Sequence, residues 1–168
     1  MADYKKMIPW IKKWEGGYAN DPDDAGGCTM KGITIATYQR YFGNDKTCSD
    51  LRSITEDEWT YIFLNGFWNK MKADNIENQS IAELCVQMCW GSGTITAIKR
   101  IQRCLGCNPD GVVGPITLGK LNEGDHYEVW NKLWVMRYNW LVDISKNGNN
   151  KKYLKGWLNR LKSMKFEE

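Results

Sequence analysis

The sequence predicts an all-α fold. Apolar residues recur at helical spacing through most of the chain. Capping-box patterns precede several of these runs, and glycine or Asn-Pro-Gly clusters separate them.

The elements follow in order. Met7, Trp10, Ile11 and Trp14 fall at i, i+3, i+4 and i+7, so the N-terminal segment reads as an amphipathic helix. Pro9 is expected to start its regular part or to kink it. Gly16-Gly17 is expected to end it through a left-handed cap. Residues 18–32 are turn-rich and read as a long loop or a short hairpin. A helix is predicted from Thr34 to Phe42, with Gly43 beyond its end. Thr55 and Glu58 form a capping-box pattern before Trp59, Ile62 and Phe63, and Ser80 and Glu83 repeat it before Leu84 and Met88. Gly91-Ser92-Gly93 breaks that helix. Another is expected from Thr94 to Leu105, closed by Gly106, and Asn108-Pro109-Asp110-Gly111 then turns the chain. Asp125 and Glu128 open the longest helix, with Trp130, Trp134, Tyr138 and Leu141 on one stripe. Asn147-Gly148-Asn149-Asn150 is a further turn, and the last helix carries Tyr153, Leu154, Trp157 and Leu161.

The chain has 168 residues, enough for a core without metals or cross-links. A net charge of +3 does not argue for a nucleic acid partner. Its distribution is uneven, with seven basic residues and no acid between Lys146 and Lys165. Such a segment suits a polyanionic surface such as a bacterial wall, or is a solvated helix face. No apolar run reaches membrane-spanning length, so no membrane insertion is expected. Residues 1–30 lack the pattern of a signal peptide. Synthesis in the cytoplasm is therefore expected, with action on a wall after release or dedicated export.

There are six cysteines. Cys85 and Cys89 are spaced i,i+4, and Cys104 and Cys107 form C-x-x-C, so the four could in principle make a zinc site. Both pairs lie in apolar helical patterns, which favours small buried thiols and no metal. Disulfides are not expected in a chain made in the cytoplasm.

Glu15 is the residue best placed for acid chemistry. It ends a helix, where the negative pole of the macrodipole disfavours a carboxylate, and Trp14 adds desolvation. Lys12 would oppose this if it folded over Glu15. The bland alternative is a solvated helix end. Asp21, Asp23, Asp24, Thr29 and Thr34 follow closely, and acidic and hydroxyl groups behind a helix-terminal Glu suit a cleft that holds water or steadies an oxocarbenium ion. The Asp cluster also reads as a turn. A calcium loop is poorly matched, since the alternation of oxygen ligands is missing.

Glu15-Gly16-Gly17-Tyr18, Asn20-Asp21-Pro22, Asp24, Gly26-Gly27, Thr29 and Gly32-Ile33-Thr34 together resemble the signature of glycoside hydrolase family 108, a family of muramidases. Phe67-Trp68, Trp90-Gly91-Ser92-Gly93, Arg137-Tyr138 and Gly156-Trp157-x-Asn159-Arg160 extend the resemblance. Gln102, Leu105-Gly106, Asp110-Gly111, Gly114-Pro115 and Thr117 resemble a peptidoglycan-binding signature, or serve only as turns between helices. One departure is Gln87, which stands where the family carries an Asp before its W-G-S-G-like break.

The resemblance implies a lysozyme-like helical fold, with a catalytic lobe over about residues 1–90 and a peptidoglycan-binding-like part over about 91–168, packed as one unit. It implies hydrolysis of the β-1,4 bond between N-acetylmuramic acid and N-acetylglucosamine. Glu15 would be the catalytic acid, with Asp24 and Thr29 assisting. Tyr18, Asp21, Thr34, Gln87 and Trp90 are the candidate substrate-binding residues. No cofactor and no metal is implied, and a monomer acting on glycan strands is expected. The alternatives are a lytic transglycosylase, which needs the Glu but no activated water, and a non-catalytic wall-binding module.

Overall fold

The computed structural model describes residues 1–22 and 25–168, and the fold is predominantly helical. Two compact units form, one from residues 5–66 and one from residues 1–4 with 67–168.

In the 5–66 unit, helix α1 (Tyr4–Trp14) buries Met7 and Ile11, as its periodicity requires. Pro9 does not start it. The helix runs through this position, with the proline exposed. Of the two expectations for residues 18–32, the hairpin is correct. Strands β1 (Tyr18–Ala19), β2 (Thr29–Met30) and β3 (Ile33–Thr34) form a three-stranded antiparallel sheet in that order. The β2–β3 turn is two residues long, Lys31 at φ 49° and Gly32 at φ 80°. Two central residues with positive φ match the twist of the flanking strands, and glycine meets that demand without strain.

Thr34 then caps helix α2 (Ile35–Phe42), its hydroxyl accepting from Thr37 N at 3.2 Å. Helix α3 (Cys48–Arg52) begins with a full capping box between Thr47 and Asp50. Helix α4 (Glu56–Phe63) has the one expected between Thr55 and Glu58, and it buries Trp59, Ile62 and Phe63. A π-turn over Leu64–Trp68 follows.

Cys28 and Cys48 form a disulfide, with Cα atoms 6.0 Å apart. This corrects the expectation that all six cysteines are thiols. The residues are 20 apart in sequence, and only the return of the hairpin through α2 to α3 brings them together. The other four are free. Cys85 and Cys89 are buried, and burial pushes the Cys85 thiol well up and that of Cys89 up to about 12. Among the described residues, no group of three or more His, Cys, Asp or Glu side chains could hold a metal ion.

In the other unit, helix α5 (Gln79–Ser92) buries residues on every face, Ile81, Leu84, Cys85 and Met88 among them. Such all-round burial marks a central helix. Its N-cap is Asn78, which accepts from Ile81 N at 3.0 Å, and not Ser80 as the sequence pattern suggested. The Ser80 hydroxyl instead accepts from Glu167 N at 2.9 Å, fixing the C-terminal segment. Gly93, at φ 89°, ends α5 and starts helix α6 (Thr94–Cys104). Helix α7 (Pro115–Asn122) follows, with Pro115 at its first position, where no amide donor is needed. Helix α8 (His126–Ser145) is capped by Asp125, which accepts from Glu128 N at 3.1 Å. A 3₁₀ segment over Gly148–Tyr153 leads into helix α9 (Leu154–Ser163). Helices α6 and α8 pack on α5, and α7 and α9 pack on α8.

Candidate active site

Glu15 follows the last residue of α1, and its amide still donates to the Ile11 carbonyl at 2.8 Å. The residue therefore sits at the carbonyl end of the helix and is half-buried. Lys12 does not fold over it. The Lys12 ammonium pairs with Glu56 and lies 5.6 Å from the Trp59 ring, while Lys31 approaches the same Glu56 at 3.4 Å. These two cations hold the Glu56 carboxyl below its usual range, chiefly through the Lys12 hydrogen bond.

Gly16 and Gly17 do not form the expected left-handed cap. Neither has a positive φ, and a Cβ on either would meet none of the described residues within 4 Å. Their lack of side chains keeps the two positions after Glu15 clear of described residues.

The sheet assembles the next group. Tyr18 pairs with Met30, and Ala19 with Thr29. Thr29 in turn faces Thr34 across β2 and β3. Ala19, Thr29 and Thr34 therefore share one face of the sheet, and Tyr18, Met30 and Ile33 the other, so the sheet does not bring Tyr18 beside the two threonines. The Tyr18 ring is covered by the Arg52 guanidinium at 5.1 Å, which offers a flat aromatic–cation surface. Thr34 is engaged on α2, donating its hydroxyl proton to Thr37 Oγ1 at 3.0 Å besides capping the helix. Asp21 is exposed. Asp24 lies outside the described residues, and so does its separation from Glu15.

Gln87 and Trp90 belong to the other unit, three residues apart on α5. Trp90 is half-buried and packs its ring on Phe67, centroids 4.8 Å apart. Gln87 is only 5% exposed, and its Oε1 has no hydrogen-bond partner. It lines a cavity of about 390 Å³ together with Ser92, Arg137, Trp140, Trp157 and Arg160. The sequence reading missed this cavity's cations. The signal was present, because Arg137 falls on the buried stripe Leu133, Arg137, Trp140, Leu141 of α8, where an apolar residue is expected.

The motif between Gln102 and Thr117 has a structural role. Gln102 Nε2 donates to Asp110 Oδ1 and to the Val112 carbonyl, both at 2.9 Å, and lies 3.2 Å from Thr117 Oγ1. Its Oε1 accepts from Gly111 N at 2.9 Å. A buried amide is thereby satisfied on both ends, and it clasps α6, the turn and α7 together. The Asp110 carboxyl is lowered by the Val112 amide first and by Gln102 second.

Comparisons with known proteins bear on this arrangement. Residues 8–93 match a family model described as Glycosyl hydrolase 108. Residues 96–162 match one described as Predicted Peptidoglycan domain. A solved structure of Brucella abortus SagA is similar with a TM-score of 0.86 and 28% sequence identity, covering 96% of this chain and 90% of that one. A comparison with curated proteins gave no match.

Proposed function

The chain belongs to the glycosyl hydrolase 108 family, and from that premise we propose a finer reaction than glycoside hydrolysis of peptidoglycan: it is an N-acetylmuramidase cleaving the β-1,4 bond between N-acetylmuramic acid and N-acetylglucosamine. The observation that carries this reading is Glu15, held half-buried at the carbonyl end of α1 and followed by the side-chain-free Gly16-Gly17.

Glu15 protonates the glycosidic oxygen as the bond to the leaving sugar breaks. Asp24 orients water or steadies the developing positive charge, with the Thr29 hydroxyl assisting from the sheet. Tyr18, Asp21 and Thr34 contact the glycan beside Glu15, while Gln87 and Trp90, in the other unit, meet wall material there. Residues 1–90 carry the catalysis and residues 91–168 support wall binding. A Glu15–Asp24 carboxyl separation of roughly 6.5–9.5 Å would give inversion at the anomeric carbon. The protein works outside the cytoplasm, after release or export, which suits its Cys28–Cys48 disulfide.

Mass spectrometry of wall digests tests the reaction. Reducing N-acetylmuramic acid ends are expected. Products with 1,6-anhydro ends would make the enzyme a lytic transglycosylase, and intact walls would make it a binding module. NMR of the first-formed anomer tests the stereochemistry.

A further inference from the structure

Arg137 is 2% exposed. Its Nη1 donates to Ser92 Oγ at 2.8 Å, and its guanidinium lies 4.5 Å from the Trp140 ring. Its Nε is buried and has no hydrogen-bond partner. No carboxylate among the described residues pairs with it. Its charged neighbours are Arg100, which lies over the same Trp140 ring at 4.5 Å, and Arg160. Burial chiefly pushes Arg137 down to about 10; Cys89 opposes the shift, and the two arginines add to it. A buried cation without a counter-ion is costly, and a folded chain keeps one where an anion completes it.

The cavity also supplies the opposite polarity, since the unpartnered Gln87 Oε1 is an acceptor that asks for an N–H. Gly91 permits the arrangement. A Cβ there would sit 2.9 Å from Arg137 Nη2 and 3.8 Å from Gln87 Nε2, so any side chain would displace the guanidinium. Trp140 and Trp157 give the cavity apolar walls, and the exposed Thr96 and Gly91 stand at its rim.

We propose that this cavity binds the carboxylate terminus of a short peptide, the chemistry that a stem peptide of peptidoglycan presents. The carboxylate sits against Arg137 and Arg160, the adjacent amide N–H donates to Gln87 Oε1, and a small apolar side chain rests on the tryptophans. A phosphate would meet the same cations but offers no N–H to Gln87. The assignment to a stem peptide rests on the muramidase reading above.

The test is titration of the full chain with N-acetyl-D-alanyl-D-alanine, its C-terminal amide, and inorganic phosphate, read by calorimetry and tryptophan fluorescence. The free acid binds one per chain, and the amide binds about tenfold weaker or worse, as loss of a charge-assisted hydrogen bond requires. Arg160→Gln weakens the acid by a similar factor. Gln87→Glu places a counter-ion beside Arg137, so it raises the melting temperature while removing dipeptide binding. Equal binding of acid and amide, phosphate binding as tightly as the dipeptide, or no saturable binding of the dipeptide would overturn the proposal. The titration needs no bond cleavage. Dipeptide binding by a chain that leaves walls intact sinks the muramidase reading alone, and wall cleavage without dipeptide binding sinks the pocket alone.

Discussion

Glu15 owes its position to two local features, the helix that ends behind it and the pair of side-chain-free residues in front of it. Lys12 and Lys31 are both drawn to Glu56, so neither cation is spent on the Glu15 carboxylate. Glu15→Gln keeps the shape and removes the proton. It is expected to stay folded by circular dichroism and to lose roughly 10²–10⁴-fold in wall-clearing rate, the usual contribution of a general acid. A folded variant that clears walls at the normal rate would remove Glu15 from the mechanism. The neighbouring acids rank in a definite order: Asp24→Asn is expected to cost more activity than Asp21→Asn or Asp23→Asn. Turbidity assays of the three variants side by side decide this, and equal losses would assign the second role elsewhere.

At the scale of elements, the hairpin is the least self-sufficient part of the fold. Its strands are two residues each, far shorter than a sheet needs to stand alone. What fixes it is the Cys28–Cys48 link to α3, the Ile35 amide donating to the Cys28 carbonyl at 3.0 Å, and Trp59 donating its indole proton to the Lys31 carbonyl at 3.0 Å. Closing a loop of this length (a sequence separation of 20) is worth about 3 kcal/mol in the denatured-state entropy account. Reduction, or the Cys28→Ser/Cys48→Ser pair, should therefore lower unfolding free energy by about 2–4 kcal/mol, measured in urea. An unchanged midpoint would show that packing alone holds the sheet.

Helix α5 gives a pH dependence. The folded Cys89 thiol is raised from 9.0 to about 12, with Cys85 raised as well, both by burial. Below 9.0 the thiols are protonated in both folded and unfolded chains, so their contribution is fully present. As pH rises through 9.0 the unfolded chain ionises first, and stability is lost progressively toward the folded value. The melting temperature should thus fall between about pH 8 and about pH 10, and Cys85→Ala/Cys89→Ala should flatten that slope.

For the whole molecule, the distribution of charge matters more than its sum. Lys151, Lys152, Lys155, Lys162 and Lys165 are all exposed, in a C-terminal segment without acids from 146 to 165. Exposed charges of one sign act on a polyanion through a screened field. Sedimentation with purified walls is expected to show binding that weakens from about 50 mM to about 500 mM salt, as screening shortens the reach of these charges. Replacing the five lysines by alanine should remove most of that salt dependence. Salt-independent retention would place wall affinity in the cavities and clefts instead.

The sequence by itself determined the helical class, the breaks at Gly43 and Gly93, the Thr55–Glu58 and Asp125 caps, and Glu15 as the acid to test. These are local properties: a period of 3.6, a short polar side chain before an apolar run, a glycine where φ turns positive. Tertiary structure decided the rest. Asn78 caps α5 because Ser80 is taken by Glu167, 87 residues away. Gln102 is a clasp because Asp110, Val112 and Thr117 converge on its amide. Cys28 meets Cys48 because β2, β3 and α2 turn the chain back between them. Arg137 shows the difference most directly. In sequence it is one basic residue between tryptophans. In the fold it is a buried charge facing a cavity with no carboxylate among the described residues to answer it. The burial of a polar group, and the partner it then needs, depends on segments distant along the chain, and no local pattern records them.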